Sequence, residues 1–531
     1  MYLSHRPSRL RAAVAGLTLV LIASGCSRDA TGPDSLTEPD EAVIVAIDPA
    51  SATLRVGETL QLSAISRGGG RKASSGHTVM WSTDDPSIAD VSSDGVVNGM
   101  AVGTATITAA GKGQEKHGQG ATAAISVVDP PAPSALAVFP GAEGFGVETP
   151  AGRHGAILKV TNLDDSGPGS LRAALGSAGP RTIVFEVAGT IALSADLDIR
   201  EPFVTLAGQT APSPGITLRG AGLRVFTNDV LIQHIRIRVG DAESGPDPKI
   251  RDALQVLGPH AYNVVVDHIS ASWAIDEVVS TWYPLHDVTI RNSIIAEGLH
   301  QSLHPEGPHS TGLLIGDESE RVAVIGNLFA HNYARNPQFK GGTSGIVANN
   351  LIYDPGYQSV RISDAYDTGP SLVSVVGNVL VTGPSTINDY LVSIGSSTKE
   401  GTGVYLADNI APTVLRISSD LQIDPLVGTP PIWTDPLTLR ATDDVRAWVL
   451  AHAGARPADR DAVDLRIVSE VVQGGGRIIN SQTEVGGWPA QPARSRLLQI
   501  PTDPFGDSDG DGYTNLEEWL HAMAAEVEAT S

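Results

Sequence analysis

Five short, β-branched segments each carry an asparagine at a similar place. They read T-I-R-N-S-I-I, V-I-G-N-L-F-A, V-A-N-N-L-I-Y, V-V-G-N-V-L-V and L-A-D-N-I-A-P, and their Asn292, Asn327, Asn350, Asn378 and Asn409 are 35, 23, 28 and 31 residues apart. Upstream, His234 and His268 take similar places in L-I-Q-H-I-R-I and V-V-V-D-H-I-S. Imperfect repeats of this length indicate a solenoid, in which each unit packs only on its neighbours. No amphipathic helix separates the strands, so the pattern predicts a right-handed parallel β-helix. Asparagine suits the bends of such a coil, because it tolerates left-handed backbone and bonds its own turn. Stacked asparagines can also bond one another between coils. These residues are therefore assigned to structure. The shortest interval approximates one bare coil, and longer ones carry loops. S-L-R-A-A-L after G-P-G predicts a short helix capping the N-terminal end, with Ser170 as its N-cap.

At 531 residues the chain exceeds one ordinary core, so more than one domain is expected. Residues 41–129 alternate apolar and polar side chains through short strands, with a turn at Asp94-Gly95 and Trp81 inside a strand. This predicts a small β-sandwich with a buried tryptophan. A Pro-rich linker at 130–137 leads to the solenoid at 138–435, and together these make the chain all-β. A helical extension follows at 436–500, where Thr442 is the expected N-cap and the glycine run at 474–476 ends the second helix.

The first residues are a basic stretch, a short apolar run and A-S-G-C, which read as an export signal over 1–26. Cys26 is the only cysteine, so no disulfide can form within the chain. A-S-G-C resembles a lipobox, which makes Cys26 a lipidation site ahead of a polar linker at 27–40. The expected location is outside the cytoplasm, extracellular or as a cell-surface lipoprotein, with the lipid as the sole membrane contact. Acids outnumber bases 59 to 36, for a net charge of −23, which argues against nucleic acid as a partner. A polyanionic substrate needs a local cationic cluster or a bridging metal.

Two resemblances sharpen these expectations. W-S-T-D-D-P-S-I-A-D-V with G-V-V-N-G-M-A-V-G-T-A-T-I resembles the bacterial immunoglobulin-like group 2 domain, which implies spacing or adhesion. F-P-G-A-E-G-F-G, A-G-Q-T-A-P-S-P-G-I-T, V-V-D-H-I-S-A-S-W-A-I-D-E and A-R-N-P-Q-F-K-G-G resemble polysaccharide lyase family 1, the pectate lyases, from about residue 138 to about 500. That resemblance implies calcium-assisted β-elimination on polygalacturonate by a monomer. Arg335 falls where the family has its base, and Lys340 where relatives place a cation on a substrate carboxylate. His300 takes the place of a substrate-binding lysine.

Asp252 and Asp276 resemble the positions that hold the catalytic calcium. Ser280 and Ile250 replace acids common in relatives, so the ion would borrow Asp241, Glu277 or a substrate carboxylate. A two-residue strand period puts Glu277 on the face opposite Asp276, which counts against it. His304 and His309 lack the second motif a transition-metal site needs. Alternatives are a pectin lyase acting on methylated substrate, or a non-catalytic carbohydrate-binding solenoid. Finally, D-S-D-G-D-G-Y-T-N-L-E-E within 501–531 fits a structural calcium loop: Asp507, Asp509, Asp511, the Tyr513 carbonyl, Asn515 and Glu518, with Gly512 at the sharp turn.

Overall fold

The structure is a computed structural model that describes residues 44–55, 59–66, 79–111, 120–128, 136–309 and 311–529. Cys26 and both expected N-terminal segments lie outside the described residues. The chain divides into two compact units, 1–130 and 131–531.

The first unit is built mainly of antiparallel strands. Its largest sheet orders Ser51–Arg55, Ala121–Val128, Gly103–Gly111 and Val79–Thr83. Ile47, Leu62, Ile107 and Ile125 form its buried centre. Trp81 is only partly buried and packs against that centre from its side. Asp94-Gly95 does turn the chain between Ala89–Val91 and Val96–Gly99. Gly95 has φ +81°, and a Cβ there would sit 2.8 Å from the Trp81 ring, so both backbone and packing require glycine.

The second unit is a parallel β-helix with three sheets. The first sheet stacks ten strands, from Ala156–Val160 to Gly403–Ala407. The second runs from Val187–Ala192 to Val379–Val381, closed at one edge by the antiparallel pair Arg494–Ser495. The third runs from Leu197–Ile199 to Thr413–Ile417. Inward side chains from all three make one apolar column, including Ile232, Ile237, Val256 and Val266, each fully buried. Helix α1 (Leu171–Leu175) closes the N-terminal end with Leu171 and Leu175, and the Ser170 hydroxyl accepts from Ala173 N at 3.2 Å.

The asparagine ladder exists, with one member displaced. Asn327, Asn350, Asn378 and Asn409 stack at the corner between first and second sheets, and their side chains bond in sequence at 3.1, 2.9 and 3.0 Å. Strand register aligns Ser293, not Asn292, with Asn327: Arg291 pairs with Ile325. Asn292 instead occupies the preceding left-handed position at φ +49°, stacked in line with His234 and His268 at +58° and +51°. Both positions of this bend favour asparagine, which is why the sequence pattern alone cannot separate them.

Two helices, α2 (Thr442–His452) and α3 (Ala462–Gln473), cover the outer face of the second sheet. Val445, Val449, Ile467 and Val471 pack on Ile294, Leu328, Leu351 and Val379. Ala441, not Thr442, is the N-cap of α2; the Thr442 hydroxyl donates to the Asp408 carbonyl at 2.6 Å instead. Gly474 ends α3 at φ +71°. Asp461 and Asp464 at the start of α3 neutralise Arg236 and Arg238, which are fully buried on the outer face of that sheet. Helix α4 (Asn515–Glu528) lies on the first sheet through Leu516 and Leu520.

Candidate active site

Every residue assigned above to catalysis or substrate contact by resemblance comes from one corner of the coil or the strands that leave it. Asp252 precedes Leu254–Leu257, and Asp276 precedes Glu277–Trp282. The segment 297–309 precedes Thr311–Ile315, and Arg335 precedes Gln338–Phe339. All four strands belong to the third sheet. Stacking the coils therefore brings together residues spaced by tens of positions. Asp276, Glu277, Arg335 and Lys340 line a cleft of about 380 Å³ at this corner.

Asp252, Asp276 and Glu277 each place a carboxylate oxygen within 4.8 Å of the other two. Glu277 thus converges with Asp276 rather than opposing it. Asp276 sits in a bend and only Glu277 opens the strand, so the two-residue period does not run through the pair. Asp252 is 3% exposed and accepts from Glu277 N at 3.1 Å, Gln255 Nε2 at 3.0 Å and Ser280 Oγ at 2.5 Å. Ser280 therefore orients a ligand candidate where relatives were expected to supply an acid. Asp241 is held elsewhere, by Gln482. Burial, then the charge of Asp276, pushes the Asp252 carboxyl well above the usual carboxylate range. Burial also raises Asp276, against the opposing pull of His309, His304 and Arg335.

Arg335 reaches this cluster through an ion pair between Nη1 and Glu277 Oε1. Its backbone is in the left-handed region, at φ +60°, and its side chain lines the cleft. Two buried asparagines hold the turn: Asn332 Nδ2 donates to Asn336 Oδ1 at 3.1 Å, and Asn336 Nδ2 to the Gln358 carbonyl at 3.0 Å. Burial lowers the guanidinium pKa below its ordinary value, although Asp276 and Asp252 act to raise it. Lys340 is 7% exposed, pairs with Asp317 Oδ2 at 2.8 Å, and lies 4.4 and 4.2 Å from the ring centroids of Trp282 and Tyr366. The two rings aim the ammonium along the cleft wall.

The histidine-rich loop divides its members. His300 is not among the lining residues; its Nδ1 is 2.6 Å from the His309 carbonyl and its ring packs on Tyr333 at 4.4 Å. His304 and His309 stack at 3.6 Å in the cleft, with Nε2 atoms 3.6 and 3.3 Å from Asp276 Oδ1. Sequence reasoning named His304, His309 and Glu277 but set them aside, and it missed Trp282 and Tyr366. The H-P-E-G-P-H turn was the available signal for the two histidines.

At the other end of the unit, Asp507, Asp509 and Asp511 bring carboxylate oxygens within 4.8 Å of one another. Asp507 accepts from Gly510 N at 2.7 Å and Gly512 N at 3.0 Å, which winds the loop around it. Asn515 is engaged within the loop, accepting from Ser508 N at 3.2 Å. Glu518 faces the three acids from the first turn of α4. Burial and then their charges raise its pKa. No described helix is long and apolar enough to cross a membrane.

Residues 43–120 match the bacterial Ig-like domain (group 2) family. The chain is 34% identical over 422 residues to a probable pectate lyase C of Aspergillus flavus, covering 73% of this chain and 94% of that protein. The corresponding protein of Aspergillus terreus is 34% identical over 426 residues, covering 73% and 94%. Among solved structures, jun a 1, the major allergen from cedar pollen, is 18% identical with a TM-score of 0.45, covering 58% of this chain and 91% of that one.

Proposed function

The chain belongs to the pectate lyase family, and from that premise we propose that it cleaves de-esterified (1→4)-α-D-galacturonan by β-elimination, leaving 4,5-unsaturated ends. The observation that carries this reading is the seating of the Arg335 guanidinium on a cluster of three acids at one cleft. Arg335 takes the proton from C5 of the uronate. An arginine is a poor base in water, because it is almost always protonated. Here burial lowers its pKa, while the Glu277 contact favours the charged form, so the reaction needs alkaline pH. Lys340 contacts a substrate carboxylate from the cleft wall. Trp282 and Tyr366 hold it in place, and its charge favours the build-up of negative charge on the uronate. His300 acts indirectly at most, by supporting His309.

Asp252, Asp276 and Glu277 fit a calcium ion. They offer an oxygen-only donor set whose carboxylates converge within 4.8 Å, and burial, which raises Asp252 and Asp276, disfavours their charged forms until a cation joins them. Bound calcium would supply positive charge against the substrate carboxylate. The same acids disfavour a methylated substrate, whose uncharged ester gives a cation little to hold. The loop of Asp507, Asp509, Asp511, Tyr513, Asn515 and Glu518 is read as a second, structural calcium site. We place the protein outside the cytoplasm, tethered through Cys26.

Ultraviolet absorbance of the conjugated product tests the reading directly. Polygalacturonate at alkaline pH should give a rise that requires both calcium and Arg335. A rise that persists in Arg335→Ala removes the base assignment. No rise on polygalacturonate or methylated pectin supports a binding solenoid.

A further inference from the structure

The last turn of α4 lies over the corner between the first and second sheets, far along the chain from the coils it meets. His234 and His268 occupy that corner one coil apart, since Gln233 pairs with Asp267. Their rings stack at 5.2 Å and 14°. His234 is fully buried, His268 is 5% exposed and Asp267 is 1% exposed. Glu528 of α4 brings Oε1 to 3.1 Å from His234 Nε2 and 3.6 Å from His268 Nδ1. Asp267 Oδ2 is 3.0 Å from the same His268 nitrogen. One ligand atom from each of the four lies within 4.8 Å of the others.

Three observations distinguish this group from an ordinary ion-pair network. His234 Nδ1 is 2.8 Å from the Ala455 carbonyl, which can only accept, so Nδ1 carries a proton and Nε2, 3.1 Å from Glu528 Oε1, is the nitrogen left to face a metal. His234 Nε2 completes no hydrogen bond although fully buried, a rare state for a buried nitrogen. A tetrahedral centre with ligands at ~2.0–2.1 Å has edges of about 3.3–3.4 Å. The separations of 3.1, 3.0 and 3.6 Å bracket that value. The outer groups are also in place. Gln233 Nε2 donates to Asp267 Oδ2 at 3.0 Å, and Arg291 Nε approaches Oδ1 at 3.3 Å.

We propose that His234, His268, Asp267 and Glu528 bind one divalent transition-metal ion of the zinc class, fastening the end of α4 to the β-helix. Mixed nitrogen and oxygen donors suit zinc, whereas calcium prefers oxygen alone. The site is separate from the cleft and does not depend on the reaction assigned there.

Cobalt(II) is the probe, added to chelator-stripped full-length protein in excess calcium so that the oxygen sites are filled. One equivalent should bind with the intense visible absorption of a tetrahedral centre, and zinc should displace it. Glu528→Gln and His234→Ala should weaken binding by more than about a hundredfold, beyond the loss expected for an outer-sphere partner. His309→Ala should leave the band intact. Glu528→Gln keeps size and lies at a partly exposed position, and circular dichroism checks that it folds. Hydrogen exchange should show zinc protecting the last turn of α4 in the parent but not in Glu528→Gln. Absence of a stoichiometric band overturns the proposal and leaves a protonated His268 between two carboxylates. A band that survives Glu528→Gln, or that disappears in His309→Ala, overturns it by moving the metal to the cleft.

Discussion

Removing the Arg335 guanidinium should abolish turnover and at the same time tighten calcium binding. Arg335 pairs with Glu277, which shares one cluster with Asp252 and Asp276, so a cation entering that cluster meets a fixed positive charge nearby. Two unit charges ~5 Å apart at an effective dielectric of ~20 repel by about 3 kcal/mol. The Arg335 side chain is 27% exposed. Solvent screening reduces the repulsion, to roughly 1.5 kcal/mol per unit charge. For one to two charges this corresponds to about ten- to a hundredfold in affinity. Calorimetric titration with calcium in an Asp509→Ala background isolates the cleft from the C-terminal loop. Arg335→Ala should bind calcium ten- to a hundredfold more tightly, while product absorbance falls by at least ~10²-fold, as for loss of a general base. Arg335→Lys keeps the charge and should show the activity loss without the tightening. Unchanged or weaker calcium binding in Arg335→Ala, or equal tightening in Arg335→Lys, would refute the electrostatic argument.

Three further perturbations probe the scaffold. Asn350 donates to the Val324 and Ala348 carbonyls at 2.9 and 3.0 Å and accepts from Asn327 N at 2.8 Å. Asn350→Ala strands buried partners and should cost about 2–5 kcal/mol in chemical denaturation. Asp464→Ala leaves Arg236 and Arg238 buried with Asp461 alone, and should destabilise by about 3 kcal/mol. If the loss is below ~1 kcal/mol, those pairs do not dock α3. Glu518 has a raised pKa in the folded, calcium-free loop, so the neutral form is favoured and its stability contribution is lost as pH rises through that value. In chelator at neutral pH, Glu518→Gln should therefore stabilise the protein, an effect that fades as the pH is lowered through that pKa. With calcium the same change should destabilise it. Thermal melts at both pH values, with and without calcium, read the sign.

The sequence by itself determined the solenoid, because a coil that stacks on copies of itself must repeat its bend chemistry, and asparagine marks the bend. It also determined the small sandwich, whose alternation and Asp94-Gly95 turn are local. By resemblance it singled out Arg335, Lys340, Asp252 and Asp276, and the structure brings all four to one side of one corner. Tertiary structure alone decided the rest. Glu277 joins Asp276 because a bend interrupts the strand period between them. Asn292 steps out of the ladder because register, set by pairing across coils, shifts that coil by one residue. His304 and His309 enter the cleft while His300 stays behind it, a matter of loop packing that spacing does not encode. Glu528 meets His234 although the two are 294 residues apart in the chain. Contacts within a bend are written into neighbouring residues. Contacts between a coil and a distant helix depend on where burial of apolar faces docks that helix, and this emerges only when the whole chain is packed.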